Sequence, residues 1–145
     1  MMDLWPDDIN IPGVTAPSTI LKEQASLLGN KTKNIVKANV VPAEAPLGRG
    51  FGYEFRIFAP TLEGYTIELF NMWHDIELYP VYFRFDITLA KELDYRIKSG
   101  NLYNCIARDE DEFIKILGEI FNAGRTIRII KSLLAQNTDR IEPVG

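Results

Sequence analysis

At 145 residues the chain has the length of one domain, since single cores are usually built from about 100 to 200 residues. Hydrophobic residues make up 46% and charged residues 25%, close to the globular average, which excludes a disordered or low-complexity chain. A formal net charge of -4 opposes nucleic acid as a partner, because a phosphate backbone is met by clustered Lys and Arg that release its counterions.

Met1 to Pro17 mixes Pro6, Pro12 and Pro17 with Asp3, Asp7 and Asp8, so the backbone lacks donors and helical freedom and is expected as an extended arm. Leu4, Trp5, Ile9, Ile11 and Val14 are too apolar for a solvated tail, so the arm is expected to pack on the domain or on a neighbouring subunit. The opening MMDLWPDDINIPG lacks a basic n-region and an apolar h-region, and no run of about 18 apolar residues occurs. Neither export nor a membrane partner is expected.

From Ser18 to about Gly29, Ile20, Leu21, Gln24, Leu27 and Leu28 recur at helical spacing, with Ser18 as N-cap and Gly29 or Asn30 as C-cap. Val36, Ala38 and Val40 then alternate with Lys37 and Asn39, which predicts a half-buried strand ended by Pro42. Phe51, Tyr53, Phe55 and Ile57 alternate with Glu54 and Arg56; beyond a turn at Pro60 to Gly64, Tyr65, Ile67 and Leu69 continue the apolar face. Val81, Phe83, Phe85 and Ile87 make a fourth strand opposite Tyr82, Arg84, Asp86 and Thr88.

Thr88 to Ser99 suits a short helix on Leu89, Leu93 and Ile97, and Tyr103 to Ala107 a last strand. Asp109 can cap a helix to Phe121 on Phe113, Leu117, Ile120 and Phe121, with Asp109, Glu110, Asp111 and Glu112 complementing the helix dipole. Asn122 to Gly124 stops it, and Arg125 to Gln136 forms another with Ile127, Ile130 and Leu134 inward. The expected fold is α+β: an antiparallel meander of four or five strands, with an N-terminal helix and two C-terminal helices packed on one face. Its organisation is an arm over 1–17, a domain over 18–136 and a loose tail over 137–145.

The single cysteine, Cys105, can form no internal disulfide and no CxxC metal spacing, which fits a reducing, cytoplasmic setting. No metal or cofactor is expected, because one His and one isolated Cys leave a transition-metal site short of ligands. The only histidine lies in NMWHDIELYP, Asn71 to Pro80. Asp75 is adjacent to His74, and neighbouring side chains of extended chain point to opposite faces, so the two make no dyad. The stretch is expected as a bend in which His74, Asp75 and Glu77 meet water while Trp73 and Ile76 cover the end of the core.

In LGRGFGYEF, Leu47 to Phe55, the glycines Gly48, Gly50 and Gly52 precede a strand rather than a helix and lack the Gly-Lys-Ser/Thr of a P-loop, so a loop with Gly52 at a bulge or close contact is expected. Glu54, Arg56, Glu68, Arg84 and Asp86 suit cross-strand ion pairs better than paired catalytic carboxylates. Phe58, Phe70, Met72 and Tyr82 share their parity, so an uncovered face would carry an apolar patch rimmed by charge. These four are the candidate partner-binding residues of a small interaction module of the adaptor, chaperone-like or immunity-like kind, whose partner is another protein or a second copy. The alternative is a small-ligand binder or enzyme with an aromatic pocket between sheet and helices, lined by Tyr53, Tyr65, Tyr79 and Tyr103.

Overall fold

Alternating apolar and polar residues over Lys37–Ala43 (β1), Phe51–Phe58 (β2), Thr66–His74 (β3), Val81–Phe85 (β4) and Cys105–Ala107 (β5) pair into one antiparallel sheet in the order β1-β2-β3-β4-β5. This computed structural model describes residues 1–9, 13–95, 97 and 100–141. Four helices complete the fold: Pro17–Lys31 (α1), Ile87–Leu93 (α2), Glu110–Asn122 (α3) and Gly124–Ile141 (α4). The expected α+β meander with one N-terminal and two C-terminal helices is present.

Helix ends follow from local chemistry. Pro17 occupies the first turn of α1, where its missing N–H costs nothing, so the helix begins one residue before the expected cap Ser18. It also passes Gly29 and ends at Thr32, whose hydroxyl donates to the Val36 carbonyl. Asp86 caps α2 through a 2.7 Å bond from the Leu89 N–H, and Asp94, with φ 59°, ends it; residues 96, 98 and 99, the end of the expected Thr88 to Ser99 helix, lie outside the described residues. On α3, Asp109 accepts from the Glu112 N–H at 2.8 Å, and Glu112 accepts in return from the Arg108 N–H at 2.8 Å.

Other expected boundaries move as well: the fourth strand, expected through Ile87 and Thr88, ends at Phe85 because Asp86 caps α2. Pro42 lies within β1, opposite Tyr53, and is tolerated there because β1 is an edge strand. The expected loose tail from Asn137 is instead the last turn of α4 as far as Ile141; Asn137 is buried and its side chain accepts from the Thr61 hydroxyl. Residues 142–145 lie outside the described residues. The buried face of α4 is also turned by one position from the expected one, onto Thr126, Ile129, Leu133 and Asn137.

The core lies between the helices and one sheet face. Phe55 stacks on Phe70 with centroids 5.3 Å apart, Phe83 stacks on Phe113 at 5.5 Å, and Phe121 closes over Phe55 at 5.2 Å. Such pairs contribute about 0.5–1.5 kcal/mol each beyond the area they bury.

One irregularity decides which residues face this core. Phe55 pairs with Phe70, but Arg56 pairs with Glu68, so Leu69 is an extra residue on β3. Leu69 and Phe70 are both buried, and the parity of β3 is reversed beyond them: Phe70, Met72 and His74 point inward, Asn71 and Trp73 outward.

Candidate functional site

Beyond the bulge, β3 and β4 present their outward residues side by side. Trp73 is opposite Tyr82, and their rings stack at 5.9 Å with planes 16° apart. Tyr103, just before β5, adds a third ring 5.0 Å from Tyr82. In the next rung Asn71 lies between Glu54 of β2 and Arg84 of β4. None of Glu54, Arg56, Phe58, Asn71, Trp73, Tyr82, Arg84 and Ile106 is fully buried, because the helices pack on the opposite face.

The polar groups of this outer face are unevenly satisfied. Arg56 Nε donates to Glu54 Oε2 at 2.8 Å, which neutralises that pair. Arg84 is exposed and, among the described residues, reaches only the Leu102 carbonyl, at 3.4 Å. Asn71 Oδ1 is buried and lacks a hydrogen-bond partner among the described residues; a desolvated acceptor without a donor costs about 1–3 kcal/mol. Asn71 is among the residues lining a depression of about 180 Å³, bordered by Glu54, Trp73, Arg84 and the chain from Ala43 to Pro46. The face therefore offers stacked aromatic area, one acceptor lacking a donor and one exposed cation.

The expected partner-binding residues are divided by the bulge. Phe58 and Tyr82 lie on the outer face, whereas Phe70 and Met72, each 1% exposed, are core residues. Trp73 replaces them outside. The adjacent apolar pair Leu69–Phe70, which interrupts strict alternation, is the sequence signal for that shift.

The four tyrosines of the expected pocket do not converge. Tyr53 stacks on His74 at 6.3 Å, Tyr79 meets Phe113 edge-on at 6.1 Å, Tyr65 is 56% exposed before β3, and Tyr103 joins the outer face. A larger cleft, of about 440 Å³, lies elsewhere, between α1, α3, α4 and the β2 residues Phe55 and Ile57.

His74 differs from the water-facing bend residue expected of it. It ends β3 on the inner face, buried and stacked on Phe51 at 5.6 Å, with Nδ1 placed 2.7 Å from the Asp75 carbonyl and 3.2 Å from that of Glu77. Nδ1 thus donates to main chain, and the ring braces the bend. Ile76 is 80% exposed and Trp73 faces outward, so neither covers the end of the core. Gly50 and Gly52 provide close approaches: a Cβ on Gly50 would collide with the His74 carbonyl, and one on Gly52 with that of Ala43.

Cys105 pairs with Phe83 across β4 and β5, and β4 separates it from β3. Two strand spacings and the offset along the strands place it roughly 10 Å or more from His74, out of reach of a thiol–imidazole pair. Burial, with Glu119 adding to it, pushes the thiol up to about 12, the opposite of an activated nucleophile. Among the described residues no group of three His, Cys, Asp or Glu could hold a metal ion, and no helix is long and apolar enough to cross a membrane. No family model matches the chain, and no curated protein or solved structure is similar to it.

Proposed function

We propose that the protein is a small cytoplasmic interaction module that docks another protein on the outer face of its sheet. The observation that carries this reading is the group of Trp73, Tyr82 and Tyr103 rings on the sheet face opposite the helices, beside the exposed Arg84 and with Asn71 Oδ1 lacking a hydrogen-bond partner among the described residues. Aromatic area surrounding a few unsatisfied polar groups is the composition of an interface centre. The partner supplies a carboxylate to Arg84 and lays an apolar surface on the rings. A second copy, which would bring Glu68 of the same face, is the competing occupant.

The test is affinity capture from the cells that make the protein, using the wild type, the double variant Trp73→Ser with Tyr82→Ser, and Ile87→Ser, 71% exposed on α2, as a surface control. The expected result is a protein retained by the wild type and the control, lost with the double variant, and bound again after both components are purified. Light scattering runs alongside. A dimer broken by the double variant, or a partner held equally by all three chains, contradicts the reading.

A further inference from the structure

We infer that the cleft between α1, α3 and α4 is a binding site for a single-chain amphiphile with a carboxylate head, such as a medium-chain fatty acid. This site is on the inner side of the sheet and does not depend on the reading of the outer face.

The cleft has an apolar floor and walls. Phe55 and Ile57 form its base, with Ile20, Leu27, Ile114 and Phe121 among the flanking residues. Leu27 and Ile114 are 46% and 50% exposed, so two large apolar side chains meet water at the rim of an apolar depression. About 440 Å³ falls within the range of roughly 300–1,000 Å³ that holds one small molecule. The lining runs along α1 from Ile20 to Lys31, a length of about 16 Å at the helical rise, which suits an extended acyl chain.

Gly118 keeps this space open. It lies inside α3, lines the cleft, and a Cβ built on it meets nothing within 4 Å. Gly118 has no left-handed φ and no close contact to explain it, while glycine in a helix interior is less favourable than alanine by about 1 kcal/mol. What its missing side chain provides is room.

Polar groups at the cleft indicate the head. Asn122 Nδ2 donates to the Gly118 carbonyl and the Thr126 hydroxyl to that of Ile120, so these are engaged within the fold. Gln24 and Lys31, two turns apart on α1, have no hydrogen bond or ion pair among the described residues. The Lys31 ammonium suits a carboxylate and repels a cationic head, while Gln24, about 10 Å away along α1, offers its amide to the same cleft.

Isothermal titration with laurate, below its critical micelle concentration, tests the site on the full chain, with dodecyltrimethylammonium as the same tail bearing the opposite charge. Laurate is expected to saturate at one per chain and the cation not to bind. Lys31→Gln should weaken laurate by about fivefold, the upper end for an exposed ion pair. Gly118→Leu should abolish binding while the chain still unfolds cooperatively, and Gly118→Ala should unfold at a denaturant concentration no lower than the wild type's. Absence of one-to-one saturation, equal binding of both detergents, or unchanged affinity in Gly118→Leu overturns the proposal. So does laurate binding that begins only after residues 1–9 are removed, since the apolar arm would then be the occupant.

Discussion

Tyr79 and Tyr95 show how single side chains record the packing around them. Both phenols are pushed up to about 12, first by burial; Glu110 and Asp109 add to it at Tyr79, and a 2.9 Å hydrogen bond to Glu119 at Tyr95. A raised folded value means that the stabilisation is complete below the unfolded value near 10 and is lost as pH rises from there through about 12. Ultraviolet titration should find late-ionising phenols that disappear in Tyr79→Phe with Tyr95→Phe, and unfolding should begin above pH 10; ionisation of these two near 10 in the native chain would contradict their placement. Little of this could be read from residue types. His74 is the clearest case: its missing dyad is evident from adjacency to Asp75, but its burial depends on the reversed parity of β3, a property of the pairing and not of the residue.

At the scale of elements, the Leu69 bulge separates what periodicity could show from what it could not. Strands, helices and their order follow from spacings of two and 3.6, as in Phe51 to Ile57 and Phe113 to Ile120. A count that runs through Tyr65, Ile67 and Leu69 passes over the adjacent apolar pair Leu69–Phe70, the sign of the inserted residue, and so places Phe70 and Met72 outside and Trp73 at the end of the core. Denaturant titration of single variants separates the two arrangements. Phe70→Ala should cost about 3–5 kcal/mol, as for a buried aromatic, and Trp73→Ala on the order of 1 kcal/mol, as for a cross-strand pair on an exposed face; the reverse order would mean that β3 lacks the bulge.

The α2–α4 contact is a second element-scale feature that no spacing reveals. Glu92 accepts from the Arg125 N–H at 2.9 Å and from Arg128 Nη2 at 2.6 Å, and these bonds hold its carboxyl below the ordinary 4.5. Because the folded value is depressed, this contribution is present above the unfolded value and is lost as pH falls through the folded one. Glu92→Gln should therefore lower the unfolding midpoint at pH 7, with the difference from wild type shrinking as pH falls below 4.5. A constant difference across that window would show that the charge has no part in it.

For the whole molecule, the consequential asymmetry is that helices cover one sheet face and leave the other to solvent. Helices on one face were legible in the concentration of aromatic residues within the meander, and a mixed outer face in the parity of Phe58 and Tyr82. Its centre at Asn71 and Trp73 was not, since both reach it only through the bulge. The arm is expected to pack on the domain or on a neighbouring subunit; in the structure Leu4, Trp5 and Ile9 are exposed at 83%, 75% and 63% and so do not pack on the domain, while the Thr15 N–H donates to Glu110 at 2.9 Å.

Trp5 and Trp73 are the only tryptophans, so Trp5→Phe turns fluorescence into a reporter of the outer face alone. Trp73 is half-buried, so its quenching by acrylamide should be measurable in the free chain and fall when the purified partner is added, with no such fall when Arg84→Glu prevents docking. A Trp73 already shielded in the free chain, or quenched equally with and without the partner, would contradict a docking surface on this face.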